Sequence, residues 1–175
     1  MGVLTGFETL SERLRDEVLR KREPLAAFMA NLDRLATTDI PLSAYVLYKP
    51  DPAMTDGDAW QEAKRSIQFL QMQCSSRDIP LEIRLNPMYR SRGSRWDTVA
   101  SEIPAYTPPR ITDAMALAEE MTAAGVPVYI GLSTEGLADD DGTYRAREDY
   151  SPGLIRHIKL FNDRRITQFP TLRTG

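Results

Sequence analysis

The chain has 175 residues, 42% of them hydrophobic and 27% charged, a composition that suits one soluble globular domain with a sizeable core. A net charge of −3 argues against nucleic-acid binding by bulk electrostatics and leaves only a local basic patch for that role. The single cysteine, Cys74, excludes an intramolecular disulfide and any multi-cysteine metal or iron–sulfur site within this sequence.

No apolar run approaches the ~18 residues of a membrane span, and the N-terminal residues lack a signal-peptide pattern. The expected compartment is the cytoplasm. In chain order, residues 3–7 read as the end of a strand. Thr9 and Glu12 have capping-box spacing, with Ser11 as a competing cap, ahead of Leu14, Val18 and Leu19. Pro24 suits the first turn of a helix whose apolar face is Leu25, Phe28, Met29, Leu32 and Leu35. Residues 42–48 form a second strand, apolar at both alternating sets of positions, which predicts cover on two sides. Thr55 and Asp58 start a helix with Trp60, Ala63, Ile67, Leu70 and Cys74 on one side, and its position there makes Cys74 a packed thiol.

Residues 81–85 form a third strand that breaks at Asn86-Pro87 into a long polar loop, with one short helix expected near 96–101. Thr112 is expected to cap the next helix, with Ile111, Ala114, Met115, Ala118 and Met121 buried and Gly125 as its stop. A fourth strand covers 126–132, and an Asp- and Gly-rich loop follows. Pro152 opens a last helix with Leu154, Ile158 and Phe161 on one side, and residues 166–169 are a short β-prone piece. Four strands alternating with four helices predict a single α/β domain, 1–175, built on a parallel sheet.

Several strand ends carry a family resemblance. Gly6-Phe7-Glu8-Thr9 matches a "G-x-E-T" fourth-strand ending, Tyr45-Val46-Leu47-Tyr48-Lys49-Pro50 a fifth-strand ending, and Leu85-Asn86-Pro87 a sixth-strand ending. Residues 59–70 match the helix between them, and Arg92-Gly93-Ser94 and Tyr106-Thr107-Pro108-Pro109-Arg110 match the segment that leads into the next helix. In these pieces, and in their order over 2–132, the chain resembles the C-terminal half of the radical S-adenosylmethionine (SAM) barrel. The most similar branch contains the elongator catalytic subunit and the archaeosine-pathway radical enzymes.

The resemblance implies a partial, half TIM-like barrel over 2–132, with loop, helix and tail in 133–175. It implies SAM as cofactor, with Glu8 and Thr9 holding its polar end, and Lys49 and Asn86 shaping the adenine pocket. The family's C-x3-C-x2-C cluster motif is missing, so the chain by itself is not expected to be a radical enzyme. A half-barrel beginning at the fourth strand also leaves that strand's edge unpaired. The expected partner is a second protein chain carrying the cluster, or a second copy of this chain; a sheet covered by its own tail is the remaining alternative.

Each candidate residue has a plainer reading. Glu8 can serve as a charge favoured by the dipole of a following helix, Lys49 as a solvated strand end, and Asn86 as a strand terminator before Pro87. Arg90, Arg92, Arg95 and Arg110, with Arg84, form the sharpest local excess of positive charge, suited to an anion or RNA; Glu82, Asp97 and Glu102 stand near enough to neutralise them. His157 has no second ligand residue for a metal, and Asp139-Asp140-Asp141-Gly142 lacks calcium-loop spacing, so no metal is expected. The rival to ligand binding is a degenerate, non-catalytic protein-interaction domain.

Overall fold

The computed structural model describes residues 2–91, 93–131, 142–143 and 152–170. In chain order the first elements are β1 (Val3–Glu8), a π-helical turn (Leu14–Val18), α1 (Leu25–Leu35), β2 (Leu42–Tyr48) and α2 (Asp56–Ser75). Then come β3 (Leu81–Pro87), β4 (Arg90–Ser91), α3 (Arg95–Glu102), α4 (Ile111–Ala123), β5 (Val128–Ile130), β6 (Gly142–Thr143) and α5 (Pro152–Asn162). The central sheet has the order β1-β2-β3-β5 and every pair in it is parallel; β4 and β6 form a separate antiparallel pair.

Each crossover therefore moves the chain to the next strand in line. The buried residues of α1, α2, α4 and α5 join one core with Phe7, Leu42, Ala44, Val46, Tyr48, Ile83, Leu85, Val128 and Ile130. Sequential strand order with the helices on one face is the arrangement of a barrel wall, whereas a doubly wound sheet is covered on both faces. The fold is an α/β partial barrel.

Among the described residues the other face has no such cover. Ser43, Tyr45, Leu47, Glu82, Arg84, Asn86 and Tyr129 are only half-buried, and none of them belongs to the core. This corrects the reading of β2 as covered on both sides. Its burial alternates strictly, because Tyr45 and Leu47 point to the open face although their chemistry suits an interior.

Local signals placed most helix ends. Thr55 caps α2 by accepting from the Asp58 N–H at 3.1 Å, and Gly125, at φ 88°, follows the C-cap of α4. Other expectations shift. Thr112 lies inside α4, which starts at Ile111 with Arg110 as its N-cap. The helix expected after Thr9 shrinks to the π-helical turn, with Thr9 drawn away to α2. The fourth strand spans three residues, and Leu132 lies outside the described residues. Residues 166–169 form no strand; Phe169 instead stacks on Phe161 with ring centroids 4.8 Å apart. Cys74 is buried in α2, and burial pushes its thiol pKa up to about 11 against a weak opposing pull from Arg77. Asp139, Asp140 and Asp141 lie outside the described residues.

The two sheet edges are finished differently. On β5 the Asn162 side chain accepts from the Ile130 N–H and donates to the Ile130 carbonyl, both at 2.8 Å, while Arg164 donates to the Val128 carbonyl. Three outward backbone groups are thus bonded as a fifth strand would bond them. On β1, Lys21 donates to the Gly6 carbonyl. Val3 and Leu4 are 40% and 54% exposed, and an apolar groove of about 340 Å³ between β1 and α1 runs from Val3 past Phe28, Leu32 and Leu35.

Candidate functional site

Connections at the amino end of the sheet are short: 36–41, 76–80 and 124–127. At the carboxyl end they run 9–24, 49–55 and 88–110. Long loops at the carboxyl ends of parallel strands are where barrel and open-sheet folds build ligand sites. The open face and this end meet at Glu8, Asn86 and Gly131.

Glu8 ends β1 with φ 71°, a left-handed conformation uncommon outside glycine, just after the β1–β2 register shifts between Gly6 and Glu8. Its side chain folds back over the open face, and a Cβ on Gly6 would collide with Glu8 Oε1. Lys21 Nζ lies 3.7 Å from that oxygen and 3.6 Å from Glu23. Burial raises the Glu8 pKa, and the attraction of Lys21, its hydrogen bond, and Arg15 pull the other way without cancelling it.

Asn86 mirrors this arrangement two strands away. A Cβ on Gly131 would collide with Asn86 Oδ1, so the carboxamide lies flat across β5 on the open face. Glu8 and Asn86 therefore flank Tyr45 and Leu47 across roughly 10 Å of sheet.

Thr9 and Lys49 go elsewhere. The Thr9 hydroxyl donates to Glu62 of α2, which also accepts from the Ser11 N–H at 3.0 Å, and the Leu10 N–H donates to Ser66 at 2.8 Å. Thr9 is 1% exposed and pins the loop after β1 to the helix layer. Lys49, at φ 61° and also 1% exposed, donates to Asp56 at 2.9 Å and to Thr107 at 3.0 Å, tying the 88–110 loop to the start of α2. Left-handed backbone at the ends of β1 and β2 thus decides where both side chains point.

The arginines are spread out. Arg95 begins α3 and donates weakly to the Val18 carbonyl at 3.5 Å, and Arg110 is the exposed N-cap of α4. Arg92 and the side chain of Arg90 lie outside the described residues. Arg84 sits on the open face beside Tyr129. His157 is half-buried in α5.

Residue-by-residue reading passed over Arg15, Lys21, Glu62, Tyr45 and Tyr129. Arg15 is 1% exposed and donates to the carbonyls of Phe7, Thr9 and Glu23, holding the loop after β1 closed. The polar alternation Glu82, Arg84, Asn86 between Ile83 and Leu85 was the available sign of an open face.

No group of three or more His, Cys, Asp or Glu among the described residues is placed to hold a metal ion, and no described helix is long and apolar enough to cross a membrane. No family model matches the chain, and no curated protein matches its sequence.

Proposed function

We propose that this domain binds SAM, a nucleotide or a related small anionic ligand at the carboxyl end of its open face, as the cluster-free part of a split radical SAM enzyme. The observation that carries this reading is the pairing of Glu8 and Asn86, each laid over a glycine on one accessible sheet face. The Glu8 carboxylate can accept from an ammonium or a ribose hydroxyl, and the Asn86 carboxamide offers both donor and acceptor to a base edge. Arg95 and Arg110, on the loop side of the same end, suit a phosphate or RNA backbone. Thr9 and Lys49 support the site by fixing its loops.

With one buried cysteine here, cluster ligands would come from polypeptide outside this sequence. The exposed β1 edge is where a partner chain, or a second copy, would continue the sheet. That edge also favours the second reading, a non-catalytic protein-interaction domain.

Calorimetry with SAM and S-adenosylhomocysteine separates them. The first reading expects binding that Glu8→Ala and Asn86→Ala each weaken by about tenfold or more, one lost charge-assisted or buried hydrogen bond. No heat from either ligand, with a dimer or larger species in sedimentation, leaves the interaction domain.

A further inference from the structure

The open face carries a cross-strand row whose charged centre, Arg84, the Glu8–Asn86 pair does not use. Tyr45, Arg84 and Tyr129 are register partners on β2, β3 and β5, and Gly6 ends the row on β1. The guanidinium carbon of Arg84 lies 4.5 Å from the centroid of the Tyr129 ring, so the cation is held against an aromatic face. Arg84 Nε is buried and has no hydrogen-bond partner among the described residues, although the side chain as a whole is 30% exposed.

Among the described residues the local charge does not balance. There Arg84 has one carboxylate nearby, Glu82 at 3.4 Å, and Arg164 holds that same carboxylate at 3.1 Å. Two guanidinium groups share one acid. Beyond Tyr45, Gly6 brings no side chain of its own, and the Glu8 carboxylate folded over it fills that position, with Lys21 reaching the Gly6 carbonyl from the strand edge. The row thus reads ring, guanidinium and ring, closed at the β1 border by the Glu8–Lys21 ion pair. A guanidinium with a donor left unpaired is costly to keep, and an anion on its exposed part strengthens the local balance of charge.

We infer that the Tyr45–Arg84–Tyr129 row binds a planar aromatic ring bearing a phosphate or carboxylate, the anion on Arg84 and the ring against Tyr45. Guanidinium forks match those oxyanions in geometry, and tyrosine offers a flat stacking surface at small entropic cost. A sulfonium or ammonium ligand is repelled at Arg84, so the row does not take the cationic end of SAM; Tyr45 borders both sites, and Arg84 is the group that tests this one apart from the Glu8 reading.

The test is titration of the full chain with adenosine 5′-monophosphate and with nicotinate, each set against its neutral counterpart, adenosine and nicotinamide. The phosphate and carboxylate arms tell which anion the row prefers. At least one anion is expected to bind about tenfold or more tighter than its neutral counterpart. Arg84→Met should abolish that preference, and Arg84→Lys should keep only part of it. Equal affinity for anion and neutral ligand, or a preference that survives Arg84→Met, overturns the proposal. Where Arg84→Met fails to fold by its melting curve, Tyr45→Leu carries the test. It should weaken the ring-bearing anion while leaving inorganic phosphate binding unchanged, and an unchanged affinity for the ring-bearing anion overturns the proposal.

Discussion

Leu85 and Asn86 are neighbours in β3 and face opposite worlds. Leu85 meets the helix layer and is fully buried; Asn86 lies on the open face, half-buried, across a glycine of the next strand. The same contrast repeats along the sheet, with Val46 against Tyr45 and Leu47, and Ile83 against Arg84. One face is packed to hold the fold together, and its alternating partner is left with rings, charges and amides. Stability and recognition are therefore assigned to interleaved residues of the same strands, so substitutions one position apart should have different consequences.

The largest expected effect tests that division directly. Leu85→Ala removes a side chain from the closed core and should cost about 2–5 kcal/mol in urea unfolding, whereas Leu47→Ala on the open face should cost well under half of that. Equal losses would mean that the open face is packed after all. Next comes Glu62→Ala, which leaves the Thr9 hydroxyl and the Ser11 N–H without their acceptor at the seam between β1 and α2. About 1–3 kcal/mol is expected there, and a neutral result would show that water reaches this seam.

The smallest effect concerns Glu8. Its pKa is raised in the folded state, so above the ordinary carboxylate value the native protein holds a proton that the unfolded chain has released. Stability should therefore fall as pH rises from the unfolded carboxylate pKa through the raised folded one, and level off above it. Glu8→Gln should flatten that part of a pH series of denaturant midpoints. An unchanged slope would assign the titration to other carboxylates.

What the sequence disclosed follows from how local each cause is. Thr55, Gly125 and Pro152 act within a turn of their own position, and all three mark helix ends as expected. The parallel α/β order was legible because four apolar runs alternate with four helical periods. The open face was hidden in β2 because Tyr45 and Leu47 look like core residues. The split between Glu8 with Asn86 and Thr9 with Lys49 was hidden too, since left-handed backbone at Glu8 and Lys49 and a register shift beside Gly6 redirect those side chains. Arg15 could not be found at all from type and spacing. A fully buried arginine is rare, and this one is explained by three carbonyls and the Phe7 ring, which converge on it after folding.

The carboxamide of Asn162 has a consequence at the scale of assembly. By answering both polar groups of Ile130, it plugs one side of the sheet from within the same chain. Growth of a sheet from subunit to subunit needs both edges open, and the β5 edge is closed to it by these bonds. Among the described residues, the β1 side is the central-sheet edge still open to another strand.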